Sequence, residues 1–290
     1  MGKKLGIIGM GKLGYCLLAI LNNELEDWTV IGVDVKENPP VPSGEPFLKE
    51  YLQQKPAYIT TDYAELDGCD IVFCIVPTPS EDDGGFSDAY VRAAMLSVKP
   101  YLKEDGVFNL VSTVMPGTSK RLSEEFGMRV TYNPEFIALG QTIEGMLEPD
   151  FVLIGEENKE DGDKVLEVYE AFCEAPVKRM DLTSAELTKI GLNAYVTQKI
   201  TFANIMGEVA DEYGCDAKRI LDAIGTDKRI GTRYFNPYGA YGGFCFPRDN
   251  RAFTKAAKGI KTYSVLTDEI NKHIAKKYGY FSDDERFQNA

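Results

Sequence analysis

Histidine is almost missing from this 290-residue chain: His273 is the only one. A Ser-His-Asp hydrolase or a metal centre built on several histidines is thereby nearly excluded, and no metal site is expected. Positive charge is also scarce. The 32 Lys and Arg against 45 Asp and Glu leave a net charge of −13, which repels nucleic-acid backbones and acidic membranes and argues against either as a partner. An anionic substrate would need a locally basic pocket. No unbroken apolar run approaches the roughly 18–20 residues of a membrane span. The basic start Met1-Gly2-Lys3-Lys4 is followed by no small-residue cleavage site, so no signal peptide is expected. The six cysteines (Cys16, Cys69, Cys74, Cys173, Cys215, Cys245) include no CxxC pair, which reads as thiols in a reducing, cytoplasmic setting. What remains is an ordinary globular composition, 44% apolar and 27% charged, with length enough for about two domains.

The first half alternates short apolar runs with helical periodicity. Leu5–Gly9, Thr29–Asp34, Asp70–Val76, Val107–Ser112, Met128–Tyr132 and Phe151–Ile154 read as strands. Lys12–Asn23, Asp88–Leu102 and Thr118–Phe126 read as helices, with a proline-rich loop at Asn38–Pro46. Such alternation predicts an α/β, Rossmann-type doubly wound parallel sheet. From Leu182 to Tyr213 a single helical pattern takes over, with Ile190, Ala194, Ile205 and Val209 at three- and four-residue spacings. Thr183-Ser184-Ala185-Glu186 offers it a capping box. A helix at Ala217–Ile224, a glycine-rich stretch at Gly231–Gly243 and a helical stretch from Asn250 follow. The expected division is a dinucleotide-binding domain over 1–181 and an all-helical domain over 182–290.

Gly9, Gly11 and Gly14 form GxGxxG between the first strand and the first helix. The glycines permit a tight turn and close approach to a pyrophosphate, and the first N–H groups of the helix, around Lys12 and Leu13, face the phosphates. Asp34, twenty positions past Gly14, closes the second strand, where a carboxylate accepts ribose hydroxyls and repels a 2′-phosphate. NAD is favoured over NADP, although Lys36 weakens the preference; FAD fits the later motifs poorly. A glycine turn in an unrelated α/β protein is the plain alternative.

Five further segments stand out. Ile71–Pro79 (IVFCIVPTP) ends a buried strand with Pro77 and Pro79 around Thr78, a rigid loop at the sheet edge where ligands bind. Ser112–Thr118 (STVMPGT) is equally readable as a helix cap and proline turn. Asn133–Gly140 (NPEFIALG) carries Glu135, and a loop glutamate is usually solvated. Glu186, Lys189 and Asn193 share one helix face. A capping role suits Glu186, while Asn193 is harder to dismiss, because asparagine is a mediocre residue mid-helix. Lys189 and Asn193 could together donate to a developing oxyanion. Gly239–Asp249 (GAYGGFCFPRD) holds Cys245. A cysteine between phenylalanines is most often a small core residue, but the glycines admit a substrate and a nearby cation would draw the thiol toward thiolate.

GxGxxG, PTP, STVMPGT, NPEF, Lys189 with Asn193, and GGFCFPRD, in this order from about Lys3 to His273, resemble the UDP-glucose/GDP-mannose 6-dehydrogenase family. That resemblance implies a four-electron oxidation of a sugar primary alcohol to a carboxylate with two NAD. Cys245 would form a thiohemiacetal and then a thioester, since an aldehyde donates hydride poorly until a nucleophile makes its carbon tetrahedral. It further implies that Lys189 and Asn193 stabilise the oxyanion, Asp249 positions or deprotonates water, Glu135 assists hydrolysis and Thr113 holds a water beside it. Pro77, Thr78 and Thr113 would join Gly9, Gly11, Lys12, Leu13, Gly14, Asp34 and Lys36 at the cofactor. Glu135, Phe136, Lys189, Asn193, Arg229, Gly242 and Arg248 would meet the substrate, Arg229 in a neighbouring subunit, with the 182–213 helix forming a homodimer.

Three departures from the family pattern stand out. Members normally continue into a third, nucleotide-sugar-binding domain, so a short form lacking it is expected here. Leu139 stands where many carry a second glutamate. Arg248 replaces a lysine and Phe244 a small residue; arginine keeps the charge without the compact ammonium. Arg233 joins Arg229 and Arg248 as a candidate for phosphate or carboxylate contacts. Two alternatives stay open: a β-hydroxyacid dehydrogenase making one two-electron oxidation without a thiol, and a catalytically silent NAD-binding dimer.

Overall fold

A computed structural model describes residues 2–137, 140–260 and 263–281. Leu139 and the Ser282–Ala290 tail lie outside the described residues. The chain forms two compact units, Met1–Pro79 with Phe86–Lys189, and Ser80–Gly85 with Ile190–Ala290.

The first unit opens with β1 (Lys3–Ile8), α1 (Lys12–Glu24), β2 (Trp28–Val33), α2 (Leu48–Gln54), β3 (Ile59–Thr60) and β4 (Cys69–Cys74). It continues through α3 (Ala89–Val98), β5 (Leu102–Leu110), α4 (Thr118–Phe126), β6 (Arg129–Tyr132), α5 (Thr142–Leu147), β7 (Val152–Gly155), α6 (Lys159–Glu170) and β8 (Val177–Met180). The strands form one sheet in the order β3-β2-β1-β4-β5-β6-β7-β8. All neighbours run parallel except β6 and β7. The doubly wound sheet expected from the alternation is present, and alternate residues along each strand feed opposite faces. Leu5, Ile7, Ile71 and Phe73 pack with α1, α5 and α6, whereas Ile8, Val72, Cys74 and Phe108 pack with α3 and α4. The order reverses between β1 and β4, which opens a crevice at their C-terminal ends.

Several boundaries differ from the sequence expectation. The helix expected over Asp88–Leu102 stops at Val98: Lys99 still bonds back to Met95, but Pro100 has no N–H to continue the ladder, and Leu102 instead begins β5. β8 was not readable, since Val177-Lys178-Arg179-Met180 shows no alternation.

The second unit is built from the larger part of α7 (Leu182–Glu212) together with α8 (Ala217–Gly225), α9 (Phe246–Ala256) and α10 (Ser264–Tyr278). An isolated β-bridge joins Ala240 to Tyr280 within it. Helix α9 starts at Phe246, earlier than the expected Asn250, with Pro247 in its first turn, a position where proline's missing N–H is no loss. No helix among the described residues is long and apolar enough to cross a membrane.

Candidate active site

In the first unit the glycine loop is shaped by contacts a side chain would destroy. Gly9 has φ +100°, and a Cβ on Gly14 would lie 1.9 Å from the Gly9 carbonyl oxygen. At Gly11 an added Cβ meets no protein atom within 4 Å, so the open side of the loop is free for a ligand. No side chain caps the α1 N-terminus, whose first turn holds Lys12 and Leu13. Asp34, just past β2, accepts from the Met10 N–H at 2.8 Å and the Lys36 N–H at 2.9 Å, one on each oxygen. Its carboxylate is thereby fixed against the loop with lone pairs to spare for a ribose. This set suits a dinucleotide.

The contrast between two glycines yields a prediction. Gly14→Ala forces the loop apart and is expected to lower the thermal midpoint and abolish NAD binding together. Gly11→Ala is expected to hold the midpoint within about 2 °C and weaken NAD at least tenfold, since only the ligand needs that space. Calorimetric unfolding paired with NAD titration separates the two cases.

The loops after β4 and β5 are stapled to each other. Thr78, almost fully buried, donates its hydroxyl to the Thr113 carbonyl at 2.7 Å, and Ser112 Oγ donates to the Val76 carbonyl at 2.7 Å. Pro77, Thr78 and Thr113 are brought together at the crevice.

Glu135 departs from the solvated reading. It accepts from the Tyr169 hydroxyl at 2.6 Å, and burial pushes its pKa up, against the opposing pull of that hydroxyl and of the Lys189 charge. Lys189 Nζ donates to the Glu135 carbonyl at 2.5 Å and sits 4.8 Å from the Phe136 ring centroid, a cation–π contact. Phe136 in turn packs on Phe151. Three expected residues thus converge.

The capping-box reading of Glu186 is overturned. Asp181 caps α7, accepting from the Ser184 N–H and hydroxyl. Glu186 is 0% exposed, and its two oxygens accept from the Gly117 and Ser119 N–H groups at the start of α4, at 2.5 and 2.7 Å.

In the second unit Cys245 is an exposed thiol at the N-cap of α9, and its carbonyl accepts from the Asp249 N–H at 2.8 Å. Asp249, 2% exposed, takes the Asn193 side-chain N–H at 2.6 Å and pairs with Arg248 at 3.4 Å. Asn193, on α7 one turn after Lys189, is therefore engaged with a carboxylate. Gly242 abuts Tyr280, where a Cβ would come within 3.1 Å of its ring. Arg229 lies on an exposed loop after α8 and folds onto Asp227; Arg233 is exposed on the same loop.

Two residues that sequence reasoning missed hold the base of the cysteine loop. The Asn204 side chain makes two bonds to the Gly239 backbone, at 2.7 and 2.9 Å, and Asn271 makes two to Tyr241, at 2.9 and 3.0 Å. Each amide mimics a neighbouring strand. The signal was available: both are asparagines inside helices, the anomaly that drew attention to Asn193.

The first unit thus carries a dinucleotide crevice, and the second presents a thiol, an asparagine and an aspartate. The chain belongs to the UDP-glucose/GDP-mannose dehydrogenase family. Residues 3–173 match the model of its NAD binding domain and 183–273 that of its central domain. The chain is 30% identical to the UDP-glucose 6-dehydrogenase of Haloferax volcanii over 88% of its own length and 65% of that protein's. Identity is also 30% to the GDP-mannose 6-dehydrogenase of Pseudomonas savastanoi, covering 92% of this chain and 67% of the relative. The solved UDP-glucose dehydrogenase of Pyrobaculum islandicum superposes with a TM-score of 0.82 at 29% identity, over 96% of this chain and 68% of that one. The chain thus spans about two thirds of the length of these relatives.

Proposed function

We propose that the protein oxidises the primary alcohol of a nucleotide sugar, of the UDP-glucose or GDP-mannose kind, to a carboxylate with NAD. The observation that carries this reading is Cys245: an exposed thiol at a helix start, where negative charge is favoured, on a glycine loop whose base is clamped by Asn204 and Asn271. A single two-electron oxidation has no use for such a thiol. When bound along Gly9–Gly14, Asp34, Lys36, Pro77, Thr78 and Thr113, NAD supplies the acceptor for each of the two hydrides, one molecule apiece.

The chain's own residues do the rest. The Cys245 sulfur adds to the aldehyde carbon, forming a C–S bond while the thiol proton ends on the former carbonyl oxygen. Lys189 and Asn193 donate to that oxygen as charge builds on it. Once the second hydride has left and the hydroxyl proton has passed to solvent, water adds to the thioester carbon, the C–S bond breaks, and the thiol is regenerated with the acid. Asp249 and Glu135 take protons from water, and Thr113 orients it. Phe136, Gly242, Arg248 and Arg229 belong to the substrate surface. The functional boundary belongs at 181/182, where α7 begins.

A homodimer through α7 completes the proposal. Tyr195, Phe202, Ile205 and Val209, with Tyr213 just past its end, leave large apolar surface exposed along that helix, more than a solvated helix face carries.

The test is stoichiometric. With NAD and a panel of nucleotide sugars, two NADH per sugar consumed and a carboxylate product are expected; one NADH per sugar, or NAD binding with no turnover of any sugar, would defeat the reading.

A further inference from the structure

Beneath Glu135 the end of the sheet contains a chain of polar side chains that the proposed chemistry leaves unused. Thr131 Oγ1 donates to Asn109 Oδ1 at 2.8 Å, and Asn109 Nδ2 donates to Asn133 Oδ1 at 3.3 Å. The Asn133 amide serves both the Leu153 carbonyl, at 2.9 Å, and the Tyr169 oxygen. Tyr169 then donates its hydroxyl to Glu135 Oε1 at 2.6 Å. Thr131, Asn109, Asn133 and Tyr169 are all at most 3% exposed, so water does not compete for these bonds.

Every donor in the chain points the same way. Each hydroxyl or amide N–H faces the next acceptor toward Glu135, and the last link ends on a carboxylate oxygen. Hydrogen bonds aligned head to tail polarise one another, and in a dry interior they strengthen the bond at the charged end. An apolar sheet end would serve the fold as well at lower desolvation cost, so four buried polar side chains aimed at one carboxylate call for a purpose.

We infer that Thr131, Asn109, Asn133 and Tyr169 are positioning residues, a one-way hydrogen-bond relay that keeps Glu135 ionised and turns its other oxygen toward the reacting water. The inference deepens the proposed function, resting on Glu135 as a base in thioester hydrolysis. Two helices contribute the titratable groups that act on Glu135 and on its partner Tyr169. Tyr169 comes from α6 and Cys173 from just beyond it, while Lys189 of α7 supplies the cation. Burial alone drives the carboxyl toward its neutral form, in which it cannot accept a proton from water; Tyr169 and Lys189 oppose that. Tyr169 resists giving up its own proton, because burial and the adjacent Glu135 charge push its pKa well up, so it acts as a donor throughout.

The decisive measurement titrates Glu135 directly, in full-length protein labelled with 13C at glutamate carboxyls. Its resonance is the one missing from Glu135→Gln. Tyr169→Phe, which removes one oxygen, is expected to raise the midpoint by about one pH unit, the size of a hydrogen bond to a charged group. Thr131→Val, isosteric at the far end, should shift it the same way by less. In turnover the acidic limb of carboxylate release should move with the titration in Tyr169→Phe, and the enzyme-bound thioester should accumulate.

An unmoved Glu135 midpoint in a folded Tyr169→Phe protein overturns the inference. So does a shift in Tyr169→Phe with none in a folded Thr131→Val, which would reduce the relay to one bond. Because the titration needs no turnover, the two readings fail separately. A shifted midpoint without sugar oxidation sinks only the proposed function. Two NADH per sugar with an unmoved midpoint sinks only the relay.

Discussion

Cys245→Ser is expected to cut carboxylate formation on the order of 10³-fold or more, about 4 kcal/mol of transition-state stabilisation, while leaving the fold intact. A serine hydroxyl in this position has no adjacent histidine to take its proton, since His273 lies elsewhere in the second unit, against Glu208. The second oxidation therefore stalls, and NADH per sugar should fall from two toward one, with aldehyde detected in place of acid. Other cysteines provide the control. Burial pushes the thiols of Cys16, Cys69 and Cys74 up to about 12, which makes them inert at neutral pH. Cys215 is exposed, so it should react with an alkylating agent alongside Cys245, yet Cys215→Ser should leave turnover unchanged. Protection of Cys245 alone by nucleotide sugar, followed by mass spectrometry of the labelled peptides, would tie the thiol to the substrate. Equal carboxylate output from Cys245→Ser would remove the covalent route altogether.

Features fixed by neighbouring residues were legible in the sequence. The glycine loop, Asp34 after the second strand and the long helix from Leu182 depend on spacing alone, and all three stand where the pattern places them. What could not be read depends on partners distant along the chain. Glu135 looked solvated because nothing near it in sequence announces Tyr169, 34 positions later. Glu186 looked like a cap for its own helix, because a glutamate three residues past Thr183 fits that role, but its partners lie 67 and 69 positions back. The same limit hid Glu45, in the proline-rich loop, whose carboxylate takes the Gly140 and Thr142 N–H groups at the start of α5. Three acids that local pattern assigns to solvent or to a cap are instead held by backbone or hydroxyl donors brought in by the fold.

Glu186 provides the largest expected effect on stability. Its carboxylate takes the Gly117 and Ser119 N–H groups, the second of them buried and the first half-buried. Glu186→Ala strands one buried and one half-buried donor and opens a small cavity, so a loss of about 2–4 kcal/mol is expected, and a fall of about 5–10 °C in thermal midpoint. Glu186→Gln retains one carbonyl oxygen and turns an NH₂ against the other donor, so it should lose roughly half as much. The pH dependence has a definite sign. Burial raises the Glu186 pKa in the folded protein, outweighing the hydrogen bonds from Ser119 and Gly117. A carboxyl with a raised folded pKa contributes most below its unfolded value, about 4.5, and that contribution is lost as pH rises through the folded value. Glutamine does not titrate, so the stability gap between the wild type and Glu186→Gln should be widest near pH 4 and narrow toward pH 7. Denaturant unfolding at both pH values measures it, and a gap that widens instead would mean that the two N–H bonds, and not burial, govern this carboxylate. Activity should fall alongside stability, because Glu186 pins the first turns of α7 to α4 only three residues before Lys189. Residual turnover in a still-folded Glu186→Ala protein reports how far the Lys189 ammonium has been allowed to drift from the Glu135 carbonyl.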